Sequence, residues 1–589
     1  MRIFTGFSMV CAAALCCACI SVDDRLGQDF IPDSHKWQVV NVSFDLESIE
    51  AATVEELGGY SSRRMSVGGV TADGSVWNEC GAAFPLVPLV DTAKLDLGDV
   101  QEIYGFHFAA AVDTVSFRDV DQADIIQNIR VRELLKPLGT DVLYAGKGND
   151  GLYDPDGAVV TKGIPTVNGS DSLSFDFTRE FAEKYVAAIG KMETWSMEEY
   201  CKLVPGICIM ADRPASGSGR MNMFEMAVTT NDYGYITGNY AELKLRSVFD
   251  AERGPVDTSF VFLAGAASFI GESTSSLPTQ YSFNLCRRDG AVPSSGDGLL
   301  VEGGCGYKPV VRAGGLKASL ENAILESMKR NFESQYEEFG DMEEAEKDDM
   351  VKRILSEGNV VINKATLNLP YKVSPDYEGL EHYPRILSPT CRISGTRTVT
   401  SGGEEKKQEI VSYAGLTDAS VSSENQGNIS MSLDCYHPDV SHHVQELLML
   451  SRAEGESDAE YSKRLGQYDI WLLIMHVETN KASSSSSSSS SYNDYLNALA
   501  YSSYYNSLYG GYGGYGGYGY GGYGYGYGSY YNNYYNYMMM AAYASQSSTT
   551  STSTSTELDK DRYYSCRLYG PESTGKRPTV TVTYSYPIE

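Results

Sequence analysis

His437, His442 and His443 form the densest histidine cluster in a chain that holds seven, and Asp439 lies between them. Imidazole and carboxylate at this spacing suit a divalent metal such as zinc. The same residues also read as the polar start of a helix running on through Val444, Leu447 and Leu448. No second ligand group accompanies them, so the helix reading is preferred and no metal or other cofactor is expected. Gly570-Pro571-Glu572-Ser573-Thr574-Gly575-Lys576 matches seven positions of a phosphate-binding loop. The eighth is Arg577, which lacks the hydroxyl that holds magnesium. Pro578 and a β-type run follow, where a helix N-terminus has to face the phosphate. This stretch reads as a strand-connecting turn. Asp150, Asp154 and Asp156 lack the bidentate glutamate of a calcium loop and read as another turn. Neither a G-x-S-x-G elbow nor an H-E-x-x-H pair is present. A paired-carboxylate site is a spatial feature that sequence does not expose. The chain is read as a non-enzyme.

Twelve cysteines are present. Four lie within the first nineteen residues, and the others are Cys80, Cys201, Cys208, Cys286, Cys305, Cys391, Cys435 and Cys566. None of these eight forms a CxxC pair, which weighs against a zinc site. In an oxidising compartment they permit disulfides. Cys201 with Cys208, and Cys286 with Cys305, are the nearest pairs in sequence and the candidates for bridges. The competing reading is a set of buried free thiols acting as small apolar residues.

The N-terminus reads as an export leader. Arg2 is followed by an uncharged apolar run from Ile3 to Ala18. That run is shorter than the ~20 residues of a comfortable membrane span and has the length of a secretory core. Leu15-Cys16-Cys17-Ala18-Cys19 resembles a lipobox, which makes Cys19 the expected lipidation site. The match departs from the usual pattern at Cys16, where leucine is common. Asp23 and Asp24 resemble the acidic surface-export signal of Bacteroidetes lipoproteins. The expected location is therefore the outer membrane, facing outward, with the membrane engaged only through the N-terminal lipid.

The elements that follow are mostly strands. Val39 to Phe44, Ile129 to Leu134, Val360 to Leu369, Ile429 to Leu433 and Thr579 to Tyr584 alternate or run apolar, as does Ile470 to Ile474. Phe181, Tyr185, Ala188 and Ile189 recur at helical spacing. Ser196 with Glu199 forms a capping-box pattern. Leu320, Ala323, Ile324 and Met328 mark a third helix that continues into the charged stretch to Glu357. Ser483 to Ser491 is all serine, and Tyr509 to Tyr537 is mostly Gly, Tyr and Asn. Such a stretch lacks the aliphatic surface to offset its ordering entropy.

The expected fold is mainly β with a few helices: antiparallel β-sandwich, jelly-roll-like domains with a long disordered Gly/Tyr-rich loop. The expected organisation is a signal peptide over 1–18 and a lipidated tether over 19–36. An N-terminal β-rich domain with short helices covers 37–310, and a helical segment covers 311–358. A C-terminal β-sandwich is formed by 359–482 and 559–589, interrupted by a Ser/Gly/Tyr-rich insertion over 483–558. Net charge is -30, with 77 acidic against 47 basic residues. Binding to phosphate backbones needs clustered cations, so nucleic acid is excluded as a partner.

Several pieces together resemble a known group. Leu26 to Pro32, Val131 to Leu134, Phe181 to Ile209, Gly314 to Lys317, Ile362 to Leu367 and Arg577 to Tyr584 are similar, in order, to the Bacteroidetes lipoproteins grouped as domain of unknown function family 4270. The resemblance implies export, lipidation and a largely β fold, and it carries over no catalytic pattern. The Gly/Tyr insertion and the cysteine count depart from it. The expected function is binding or display at the cell envelope, with a glycan or a surface protein as partner. The alternatives are an adhesive protein acting through the Gly/Tyr tract and a hydrolase with a carboxylate site.

Overall fold

The computed structural model describes residues 37–480 and 553–587, except 73–75, 89–95, 114–126, 139–143, 168–171, 193–194, 215–218, 227, 231–235, 253, 266–279, 290–297, 376–377 and 402–403. The leader, Cys19 and most of the Ser/Gly/Tyr-rich tract lie outside the described residues. The described chain is mostly strand, arranged in several antiparallel sheets.

Two sheets face each other in the first half. One runs Leu173–Asp176, Asp99–Ala110, Tyr240–Val248, Val256–Ala264, Leu86–Pro88. The other runs Gly219–Glu225, Arg64–Ala72, Val76–Phe84, Ile207–Ala211, Gln127–Glu133, Thr166–Val167, and Ser282–Asp289 pairs along Val76–Phe84. Period-2 alternation sends Phe106, Phe108 and Phe262 of the first sheet against Phe84, Val131 and Ile209 of the second. The helix Arg179–Gly190 adds Phe181, Tyr185, Ala188 and Ile189 to this core, the residues its spacing singles out. Thr178 caps it by accepting from Phe181 N. Ser196 caps the next short helix, Met197–Leu203, by accepting from Glu199 N.

A second pair of sheets forms the other half. One runs Trp37–Asp45, Thr579–Pro587, Val361–Pro370, Cys435–Tyr436, Ile429–Ser430. Its partner runs Ile49–Thr53, Tyr307–Val311, Ile470–Asn480, Ile386–Ser401, Glu404–Gly415. Leu367, Val580, Val582 and Tyr584 share a core with Leu387, Ile470, Leu472 and Ile474. The helix Ala313–Gln335 buries Leu316, Leu320, Ile324 and Met328 in that core, and Ser327 Oγ lies 2.5 Å from the hydroxyl of Tyr584. Glu337–Gly340 and Glu344–Ser356 complete the helical segment.

Three boundaries differ from the sequence reading. Trp37–Asp45, Ile49–Thr53 and Tyr307–Val311 sit in the second pair of sheets, although residues 37–310 read as one N-terminal domain. Alternation identifies a strand but carries no information about its partner. The insertion expected over 483–558 ends earlier, because Ser553–Leu558 is a strand paired with Ile470–Asn480. Its Ser/Thr alternation supplies β-branched residues for an edge position. The strand expected over Ile429 to Leu433 stops at Ser430, and Met431 and Leu433 turn outward into solvent.

Candidate functional site

Ile470, Leu472 and Ile474 point into the second core, so Trp471 and Leu473 point the other way. Register then builds a surface on that opposite face. Trp471 stands across from Val310 and Thr390, and Arg392 stands across from Tyr413. Trp471 and Tyr413 meet edge to face, with ring centroids 5.8 Å apart. They floor a cleft of about 840 Å³. Its walls are Glu55, Glu56, Lys147, Arg312, Lys463 and Asp469.

The charges in the cleft hold one another. Arg392 donates to Glu56 through Nε, at 3.2 Å, and through Nη2. Lys147 Nζ donates to the other oxygen of Glu56 at 3.1 Å. Burial opposes the Glu56 charge, but these two cations outweigh it and hold the carboxyl below its ordinary range. Arg312 bridges Asp469 (2.7 Å) and Glu50 (2.6 Å), and its guanidinium lies 5.8 Å from the Trp471 ring centre. Asp469 also accepts from Ala313 N at 2.8 Å, closing the start of the long helix. Burial pushes the Tyr413 phenol up to about 12, so it remains a neutral donor and acceptor. Lys463 is exposed on the helix Asp458–Leu465. The residues lining the cleft are thus four cations and three carboxylates, with Glu50 paired to Arg312 just outside the lining, in a chain whose net charge is -30. Both Glu56 and Asp469 are committed to ion pairs and hydrogen bonds.

The sequence-marked histidines are not brought together. His443 is buried at the start of the helix Ser441–Met449 and donates from Nε2 to Tyr468 O at 2.8 Å. His437 Nδ1 lies 3.0 Å from Asn368 Oδ1. His442 Nε2 lies 3.8 Å from Glu446. The helix reading holds, and its N-terminus is capped by Asp418, which accepts from His442 N and His443 N at 2.8 and 3.1 Å. Among the described residues no group of three or more His, Cys, Asp or Glu is placed to hold a metal ion.

The cysteine pairs fare differently. Cys201 and Cys208 are free thiols and do not face each other. Cys201 packs against the first core and Cys208 lies in a small cluster on the opposite face of its sheet. Seven positions of separation had suggested proximity, but the intervening strand start turns Cys208 away. Cys286 and Cys305 are also free thiols, yet they are adjacent: Cys305 N donates to Cys286 Sγ at 3.3 Å. Gly570 to Arg577 forms a turn in which Gly570 N donates to Ser573 Oγ at 2.9 Å.

Of the cleft residues, only Trp471 stood inside a sequence-marked run, and there as a buried strand position. Glu56, Lys147 and the strand pair carrying Arg392 and Tyr413 come from three distant segments and carried no local signal. No protein-family model matches the chain, and no curated protein or solved structure shows a significant likeness to it.

Proposed function

We propose that this chain is an exported, lipid-anchored envelope protein that binds an acidic saccharide without transforming it. The observation that carries the ligand reading is the cleft's excess of cations over an aromatic floor, within a strongly acidic molecule. Arginine and lysine pair with carboxylate or sulfate groups, and tryptophan and tyrosine offer apolar ring surface beside polar handles. The cleft volume falls in the range of ordinary ligand sites. The anchoring part rests on Arg2, the run Ile3 to Ala18 and Cys19, and on the motif order resembling Bacteroidetes lipoproteins. Outward display on the outer membrane rests on Asp23 and Asp24.

One experiment addresses both parts. Cells producing the wild type and Cys19→Ala are labelled with a palmitate analogue, and the purified protein is titrated calorimetrically with oligogalacturonate and with a neutral maltooligosaccharide. Label is expected in the wild type alone. Oligogalacturonate is expected to bind, the neutral sugar to bind far more weakly, and Lys463→Gln to lose about threefold to tenfold in affinity, as one charge-assisted hydrogen bond implies. An unlabelled wild type would remove the anchor, and equal label in both proteins would remove Cys19 as its site. Heat traces at dilution level for oligogalacturonate would remove the acidic-saccharide reading.

A further inference from the structure

Three cysteines from two halves of the molecule converge on one sulfur. Cys80 lies in Val76–Phe84 and Cys286 in Ser282–Asp289, directly opposite each other in register. Cys286 N–H donates to Ala145 O at 2.9 Å, away from the Cys80 strand. The pair is therefore of the non-hydrogen-bonded kind, with Cα atoms ~4.5 Å apart and side chains at their closest. That separation is inside the disulfide range of roughly 4.4–6.8 Å. Cys305 reaches the same sulfur from the turn between Leu299–Glu302 and Tyr307–Val311. Cys286 is thus faced by Cys80 across the ladder and by Cys305 from the turn.

The turn that carries Cys305 is built for this approach. Lys308 is buried, and its ammonium donates to the carbonyls of Glu302, Gly304 and Gly306 at 2.5, 2.9 and 3.3 Å. This cage draws the turn tightly around the cation. Gly304 adopts φ +52, and a Cβ there would stand 3.0 Å from Cys286 Sγ. Cys80 and Cys286 also line a cavity of about 30 Å³, room for one or two waters. The hydrogen bonds from Cys305 and Cys80, aided by the Lys308 charge, outweigh burial and hold the Cys286 thiol below its ordinary range. The same contacts and burial push Cys80 and Cys305 up.

We propose that Cys286 is the shared sulfur of two alternative disulfides, Cys80–Cys286 within one sheet and Cys286–Cys305 between the two halves, formed with a small disulfide as oxidant. The Cys286 thiolate attacks one sulfur of the oxidant RSSR, forming a mixed disulfide and releasing RS⁻, which takes up the Cys286 proton. The Cys80 or Cys305 sulfur then attacks the Cys286 side of that bond, and the second RSH leaves with the attacking thiol's proton. Two protein thiols lose two electrons and two protons, and RSSR gains both. Once one bridge exists, the third thiol attacks Cys286 Sγ and expels the earlier partner, which takes the proton. This exchange needs no oxidant. It moves a covalent link from inside the Cys80 sheet to the turn that leads into Tyr307–Val311, beside the cleft floor. The inference stands on the cysteine geometry and does not depend on the saccharide reading.

The test is oxidation of the folded chain with hydroxyethyl disulfide, then alkylation of free thiols and peptide mapping by mass spectrometry. Alkylation of Cys286 is expected to fall about tenfold. Cys80 and Cys305 are each expected to fall in part, with losses that sum to the loss at Cys286. Cys80→Ser is expected to leave only the Cys286–Cys305 bridge, and Cys305→Ser only the Cys80–Cys286 bridge. Undiminished alkylation of Cys286, a Cys80–Cys305 bridge with Cys286 free, or one bridge alone in the wild type would each overturn the proposal. The wild-type map decides the matter even where a variant fails to fold.

Discussion

At the scale of single residues, burial decides what a titratable group does. His443 had the spacing of a metal ligand, but its ring is buried and spends Nε2 on Tyr468 O. Burial lowers its proton affinity; Glu446 and Asp469 oppose that shift and His442 adds to it. The folded state therefore binds this proton less readily than the unfolded chain does. Below the ordinary histidine value of 6.5 the unfolded state holds the extra proton, so stability present above that pH is lost as pH falls. The loss is at most about 1.4 kcal/mol per pH unit from one group. Denaturant unfolding from pH 7.5 down to 5 is expected to show a smaller decline for His443→Gln than for the wild type, since an amide can still donate to Tyr468 O. Parallel profiles would mean that His443 is not a source of the acid sensitivity.

At the scale of elements, the long helix Ala313–Gln335 shows how tertiary contact overrides propensity. Two glycines, Gly314 and Gly315, occupy its first turn, where alanine stabilises by up to about 1 kcal/mol. A Cβ on Gly314 would meet Leu465 Cδ2 at 3.4 Å, an ordinary contact. A Cβ on Gly315 would stand 2.5 Å from the Cβ of Ser48, closer than two carbons can pack. Gly314→Ala is therefore expected to raise the unfolding free energy by roughly 0.5 kcal/mol. Gly315→Ala is expected to lower it by about 1–3 kcal/mol through overpacking. Thermal or urea melts of the two variants decide this, and two changes of the same sign would contradict the packing argument. The helix itself was legible from Leu320, Ile324 and Met328. The reason for its glycines was not, because Ser48 lies far away in sequence.

At the scale of the whole molecule, chain order and spatial order separate. The first described strand, Trp37–Asp45, pairs with the last, from Trp37↔Pro587 to Asp45↔Thr579. The ends of the Ser/Gly/Tyr-rich tract also meet, since Asn480 pairs with Ser553. The tract thus connects neighbouring antiparallel strands, a junction that two residues can make. Replacing 481–552 with Asn-Gly is expected to leave the fold intact and raise its stability by roughly 2 to 3 kcal/mol, from the smaller loop-closure entropy. A lower melting temperature in calorimetry would show that the tract contributes packing of its own. Sequence by itself determined the strand-rich class, the helix faces at Phe181 and Leu320, the turn at Gly570 to Arg577 and the low-complexity tract. Each of these follows from side-chain periodicity or composition within a short window. Only the tertiary structure decided which strands share a sheet, why Cys208 turns from Cys201 while Cys80 joins Cys286 and Cys305, and how Glu56, Lys147, Arg392, Tyr413 and Trp471 form one cleft. Those outcomes depend on register between distant segments, and a local pattern of residues places no constraint on which distant strand it will meet.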